Sequence, residues 1–533
     1  MRGTFWLFVV ANVFALLGDP NGPKHEAVSI TLPDAAVATA EVFWDGFGVP
    51  HIYADDMAGA AAATGRAVAR QHGDLYLRLI AVASARSSEF FGKGDSNIYL
   101  RQDVECLNQG YIEEADRLYD QMYPEERQWL EAHAAGFRQY ADEHPEHFSE
   151  IRLRALPLVS GRNDYRLLYR TLQVFTNTRA PFLIADSLDN AHPQWPLETL
   201  EDTSMHRVHY SYETEYTAAF AGVPSEILDG EHDDTHGTRG SNAWAANYPK
   251  YKDKGGALHL ANPHLLFYEK YTWFEVHVSV RKEDFTAHGA LLLGSPLPCI
   301  ASTRHVSFTM TVNRIQAFTL HQVPLAAKHA RADEPRRIEL ERRYNSHRVA
   351  GTVPTRETEG STKYWFDGSV LQMEEQEMPL LVRTNPRDMS APPVWERHLV
   401  RRLRTLHGVV KLRNDTHVVA HRRAGADCAH VLAQFLAMLQ AQDVTELYEA
   451  MAPLQLGMFT IVAADSRGDI SYLFNGWIPR RPVQTDFDFW KSPVPGEVKK
   501  YMWSMGDYHR LRELPFVLNP ASGYMQNANG VLP

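Results

Sequence analysis

A chain of 533 residues, 44% hydrophobic and 22% charged, has a globular composition and is long enough for a large core or several domains, which excludes a disordered or low-complexity protein. Its net charge of −11 argues against a nucleic-acid binder, which needs a clustered basic surface. Cys106, Cys299 and Cys428 are far apart and form no CxxC. A zinc ribbon or thioredoxin motif is therefore unsupported; buried free thiols are the expectation, with one disulfide and one free thiol as the alternative.

The chain opens with Met1-Arg2-Gly3 and an apolar run from Thr4 to Leu17, stopped by Gly18, Asp19 and Pro20. That run has the length of a secretory h-region and is short for a membrane span. Residues 1–25 are therefore expected to be a signal peptide and the protein secreted or periplasmic, with an uncleaved anchor as the alternative. Residues 28–57 read as strands around a turn at Trp44–Gly48. Ala60 to Phe91 reads as one helix stopped by Gly92. Pro124 opens another, with Glu125 and Glu126 in its first turn. Trp129, His133, Phe137 and Tyr140 form one buried stripe along it, and His133 reads as a packed histidine rather than a ligand.

Residues 225–240 are polar, acidic and without periodicity, so they read as an exposed linker, where a chain is most easily cut. Beyond them the texture is strand-rich. Residues 274–280 and 306–312 alternate as half-buried strands. Residues 459–474 read as two strands around Ser466-Arg467-Gly468, and residues 430–453 as a helix. The charge-dense segment 328–345 reads as solvated surface.

No HExxH, EF-hand loop, Walker A, GxGxxG or GxSxG occurs. His259 and His264, five apart, are poorly spaced for joint zinc binding. What stands out is Thr238-Arg239-Gly240-Ser241-Asn242-Ala243-Trp244, where the linker meets the strand-rich half. A serine after glycine is most often only a turn, but position matters here. If the chain is cut between Gly240 and Ser241, the serine becomes a terminus. Its α-amine, with a pKa of about 8, can take a proton at neutral pH without a histidine partner. Gly240, lacking a Cβ, permits close approach of the attacking hydroxyl.

Several separated segments match one family in its order. They are Gly48-Val49-Pro50-His51-Ile52-Tyr53-Ala54-Asp55, Ala67 to Gly92, Leu130 to Tyr140 and Gly240 to Ala245. Further along come Leu260-Ala261-Asn262-Pro263-His264, Phe308 to Leu320, His407 to Val410, Ala464 through Arg480, and Gln526-Asn527-Ala528-Asn529. On these segments the chain resembles the penicillin acylase family of N-terminal-nucleophile hydrolases, and within it looks closest to the acyl-homoserine lactone and aculeacin acylase branch.

The resemblance implies an α+β fold, a four-layer αββα sandwich. A mostly helical small (alpha) chain, 26–224, a spacer propeptide, 225–240, and a large (beta) chain, 241–533, would associate as a heterodimer after self-processing. It implies an amide hydrolase that removes an acyl group from a small N-acyl substrate: an acyl-homoserine lactone, a penicillin-type compound or a lipopeptide. Ser241 would be nucleophile and base, Val312 (backbone N–H) and Asn529 (side chain) the oxyanion donors, and His264 a group orienting the amine or a water, with a locally bonded turn histidine as its alternative. Phe175, Phe182 and Leu183 are candidates for the acyl pocket. No cofactor is assigned. Calcium occurs in the family, but Asn313, Arg314 and Gln316 stand where calcium-binding members have acidic ligands. His133 and Arg138 replace the usual Tyr and Asn of their helix. The chain stops at Pro533, soon after Asn529, so the large chain is expected to be incomplete at the C-terminus. Two alternatives follow: a truncated, unprocessed and inactive relative acting at most as a binding module, and a serine hydrolase with a separate histidine base.

Overall fold

The computed structural model describes residues 25–32, 35–176, 192–193, 197–199, 240–247, 256–264, 269–313, 315–330, 358, 360–482, 489–490 and 492–530. The leader, Phe182, Leu183, Arg314 and the linker up to residue 239 lie outside them, as does most of 328–345.

The architecture is α+β, and a ten-stranded sheet is its spine. In spatial order its strands are β1 (His25–Thr31), β2 (Val37–Trp44), β3 (Pro50–Ala54), β8 (Trp273–Val280), β9 (Phe285–Leu292), β10 (Ile300–Thr303), β11 (Val306–Thr311), β19 (Met458–Asp465), β20 (Ile470–Gly476) and β22 (Phe516–Leu518). Neighbours are antiparallel except β3 and β8, which run parallel and join the N-terminal hairpins to the strand-rich half. A three-stranded sheet, β23 (Tyr524–Asn527), β6 (Gly240–Ala246) and β7 (Leu258–His264), lies on the β11, β19 and β20 end of the large sheet. An eight-stranded sheet runs β15 (Glu374–Arg383), β16 (Trp395–Thr405), β17 (Gly408–Arg413), β18 (His417–Arg423), β12 (Phe318–Pro324) and β21 (Val494–Pro495). Short β4 (His192–Pro193) and β5 (Leu197–Thr199) pair with β17 and β16, and β13 (Lys363–Phe366) with β14 (Ser369–Gln372) forms a separate hairpin.

Helices cover the other face of the spine. Helix α1 (Met57–Ala83) is rich in Ala and packs on β2 and β3. Helices α2 (Ser87–Phe91), α3 (Ile98–Gln109), α4 (Tyr111–Gln121), α5 (Pro124–Glu143), α6 (Glu150–Leu153) and α7 (Gly161–Thr176) follow it among the described residues of the N-terminal half. Helices α8 (Val431–Gln440) and α9 (Val444–Ala450) come from the C-terminal half. Small residues let α1 and α5 approach closely. A Cβ on Gly65 would stand 1.9 Å from the His133 carbonyl oxygen, and one on Gly136 1.9 Å from that of Ala62.

The expected stripe of α5 is buried throughout. His133 is a packed residue: its Nδ1 lies 2.8 Å from Asp164 Oδ2, and Tyr76 donates its hydroxyl to the other carboxylate oxygen. All three side chains are enclosed, so Asp164's desolvation is offset by these bonds. Arg138 reaches the Val159 carbonyl. All three cysteines are free and buried.

Three readings need correction. The helix expected over Ala60–Phe91 breaks after Ala83. Arg86 N–H bonds the Ala81 carbonyl and Ala85 N–H that of Val82, with Ala85 at φ 51°. This is a left-handed helix end made by alanine, without the glycine that would mark it in sequence. The helix expected over 430–453 is two, because Asp443 caps α9 by accepting from the Thr445 and Glu446 N–H groups. And β11 is buried on both faces, not one, because the three-stranded sheet covers what would be its solvent side.

Candidate active site

Ser241 is the second residue of β6 and is 4% exposed. In β6 the buried positions alternate: Ser241, Ala243 and Ala245 are buried, while Asn242 and Trp244 are half-buried. Gly240, which opens the strand, pairs with His264 at the end of β7, and Ser241 pairs with Pro263. The expected cut therefore falls within the first step of a strand. The backbone of His264 is next to that bond; its side chain lies outside the described residues.

On the other edge of β6, β23 pairs Asn527 with Ala243. The chain then turns back at Asn529, whose φ of 64° is a left-handed conformation that asparagine tolerates better than most residues. The turn carries Asn529 to the start of β6. Its Oδ1 accepts the Ser241 backbone N–H, and its Nδ2 donates to the Val312 carbonyl at 2.5 Å. Val312 directly follows β11. One side chain thus ties together three distant parts of the sequence and brings Ser241, Val312 and Asn529 into contact.

Asn529 has support that the sequence reading missed. Its backbone N–H donates to Asn527 Oδ1 at 2.9 Å. The same oxygen accepts the Thr311 hydroxyl at 2.6 Å, and Asn527 Nδ2 donates to the Tyr472 hydroxyl at 3.0 Å. Asn527 and Thr311 are buried. Deeper between the two sheets, His259 Nδ1 lies 2.8 Å from Ser307 Oγ, and burial pushes this imidazole down to about 4, so it is neutral at working pH. These polar pairs fix the small sheet on the large one.

Beside Ser241 lies an apolar pocket. Leu172 and Phe175 of α7, Trp273, Ile300 and Met310 of the large sheet, and Phe459 are among its walls, with Ser241 and Val312. Phe175, named as a pocket candidate from sequence, is there. Phe459 sits at φ 149°, a strained backbone for a bulky residue, held by its edge-on packing against Phe175 at 5.6 Å. As packed, the free space is about 20 Å³, room for roughly one water molecule.

A hard cation has poor ligands near Val312. Asn313 donates its amide to the Asn475 carbonyl at 2.7 Å, and Gln316 donates its own to the Trp490 carbonyl. Their side-chain oxygens are neutral, and that of Asn313 accepts the Ile315 N–H, where calcium prefers several carboxylates.

The penicillin amidase family model matches residues 39–532. The chain belongs to that family. Among curated relatives, the acyl-homoserine lactone acylase PvdQ of Pseudomonas fluorescens is 25% identical over 464 residues, covering 83% of this chain and 50% of that protein. PvdQ of a second P. fluorescens strain is 24% identical, covering 84% and 51%. PvdQ of Pseudomonas syringae pv. tomato is 24% identical, covering 85% and 54%. The chain spans about half the length of the curated relatives it matches. A solved thermostable penicillin G acylase from Alcaligenes faecalis aligns at 17% identity and a TM-score of 0.40, over 55% of this chain and 44% of that one. Among the described residues, no helix of this penicillin amidase family member is long and apolar enough to cross a membrane.

Proposed function

We propose that this chain is the precursor of an N-terminal-serine amide hydrolase that removes the acyl group from an N-acylated amine. The observation that carries this reading is the Asn529 side chain, bonded at once to the Ser241 nitrogen and to Val312. Cutting the Gly240–Ser241 bond turns that nitrogen into an α-amine, whose pKa of about 8 leaves part of it neutral near pH 7. Asn529 Oδ1 accepts one amine hydrogen and so aims the lone pair at the serine's own hydroxyl. Ser241 Oγ attacks the amide carbonyl as its proton passes to the amine. The second N–H of Asn529 Nδ2 and the backbone N–H of Val312 donate to the developing oxyanion, an arrangement worth about 3 kcal/mol per donor. The proton then goes to the leaving amine. Water, deprotonated by the same α-amine, hydrolyses the acyl-serine ester. His264, opposite Gly240, orients the amine or that water.

The apolar side chains beside Ser241 support an apolar acyl group, which has to displace them to enter, since as packed they leave room for only about one water molecule. The names of the relatives make a homoserine lactone the first head group to test, before a β-lactam nucleus or a lipopeptide. After processing, the small chain (26–224) and large chain (241–533) stay together as a heterodimer in the periplasm or outside the cell. Contacts between the halves support this. The buried Glu126 of α5 accepts from His430 and from the Ala433 N–H at the start of α8, and Arg423 pairs with Glu114 at 2.6 Å. The test is amine release from N-acyl homoserine lactones of graded chain length, with Ser241→Ala as the blank. Release that depends on Ser241 supports the reading; equal release from both proteins refutes it.

A further inference from the structure

The exit of α5 carries a cluster that plays no part in the site above. His144, Glu146 and His147 fall within four residues, around the single 3-10 turn Pro145–His147. Their ligand atoms all lie within 4.8 Å of one another. His144 Nδ1 is 3.4 Å and His147 Nε2 3.8 Å from the same oxygen, Glu146 Oε1. The two imidazole rings are parallel to within 9° with centroids 5.1 Å apart.

The His144 contact is a long hydrogen bond and the His147 contact is beyond one, against about 2.7–2.9 Å for a charge-assisted pair. Both spacings suit a cation placed between the groups. Zinc binds nitrogen and oxygen at about 2.0–2.2 Å, which sets ligand atoms roughly 3.4 Å apart around a tetrahedron. The remaining vertex is open to solvent, since His144, His147 and Glu146 are each between a third and two-thirds exposed.

The partner of His147 points the same way. Its Nδ1 is 2.8 Å from the hydroxyl of Tyr140, a buried residue with the Arg66 guanidinium 5.1 Å above its ring. If Nδ1–H donates to that hydroxyl, the Nε2 lone pair faces Glu146. A cation between these two atoms would be bound by both. This is the outer-shell arrangement that fixes tautomer and ring orientation in histidine metal sites. The backbone is already set: His144 N–H bonds the Tyr140 carbonyl and His147 N–H that of His144. Phe148, next in sequence, is buried against Phe137 and the backbone at Gly73.

We propose that His144, Glu146 and His147 form a site for one divalent transition-metal cation of the zinc class, bound by two imidazoles and a carboxylate. Two nitrogen donors select such a cation over calcium or magnesium, which prefer oxygen ligands. Its effect is to pin the end of α5, and it is independent of the hydrolase reading.

The test is a calorimetric titration of the whole chain with zinc, beside the His144→Ala/His147→Ala double variant. Any weak binding by the other histidines is common to both. The expected result is one more equivalent of zinc bound by the unsubstituted protein, and a midpoint of thermal unfolding that rises with zinc in that protein only. Excess calcium should not displace the zinc, and Tyr140→Phe should weaken that equivalent by about tenfold or more. Equal zinc uptake by the unsubstituted protein and a double variant with an unchanged circular dichroism spectrum would overturn the proposal. So would displacement by calcium.

Discussion

Replacing Asn527 by Ala removes a residue that lies outside the proposed oxyanion site yet holds Asn529, one of its two proposed donors. Four hydrogen bonds go: from the Thr311 hydroxyl, from the Asn529 backbone N–H, to the Tyr472 hydroxyl, and a long one to the Gly530 carbonyl. Each polar group left buried without a partner costs about 1–3 kcal/mol of stability, so the urea midpoint should fall clearly. The larger consequence is geometric, because the turn at Asn529 loses its tether. Removing the Asn529 side chain outright should cost ~3 kcal/mol in the barrier, or about 10²–10³-fold in kcat. Asn527→Ala should lose roughly 10–100-fold in kcat with KM little changed, because the apolar pocket is untouched. The cycle decides between roles. If Asn527 acts only through Asn529, adding Asn527→Ala to Asn529→Ala should cost no more than about twofold further. Rates of amine release, with the rate of chain cutting followed on gels, supply both readouts. Losses that multiply in the double variant would refute the tether. An Asn529→Ala protein with kcat within threefold of the unsubstituted one would refute the role given to Asn529 itself.

Three further outcomes follow from the same geometry. His259 and His407 are buried, and burial holds both imidazoles down at about 4, so they stay neutral in the native state while the unfolded state takes up protons near pH 6.5. Their contribution is fully present above pH 6.5 and is lost as the pH falls toward 4. Unfolding free energies between pH 7 and 4.5 should show up to ~1.4 kcal/mol per pH unit for each, and His407→Gln should flatten the slope. Gly65→Ala places a methyl 1.9 Å from the His133 carbonyl oxygen; the helices must part, at ~1–3 kcal/mol or more, read from urea unfolding. Met310→Ala opens the pocket beside Ser241 and should move the acyl preference to longer chains. Each extra methylene accommodated is worth about 0.8 kcal/mol, or roughly fourfold in relative kcat/KM.

Much of the fold was legible because local periodicity and burial agree. The alternation of Trp273–Val280 marks a strand with one covered face, and the α5 stripe marks a helix face. Other features depended on distant partners. Nothing in Val306–Thr311 announces a second covering sheet, because that sheet is made by residues 240–264 and 524–527. The end of α1 carried no glycine, since Ala85 takes the left-handed position itself. The break before α9 was readable: Asp443 followed three residues later by Glu446 is a helix-start signal. At the site, the convergence of Ser241, Val312 and Asn529 came from the resemblance and not from spacing. Asn527, Thr311 and Tyr472 left no local mark, because their hydrogen bonds join positions more than fifty residues apart.

Self-processing is tested most directly by determining the N-termini of the purified chain's fragments beside those of Ser241→Ala. A new terminus at Ser241 is expected in the first sample and an intact Gly240–Ser241 bond in the second. An uncut bond in both would deprive the site of its base and contradict the proposed mechanism. A cut at the same bond in Ser241→Ala would show that the serine does not process its own chain.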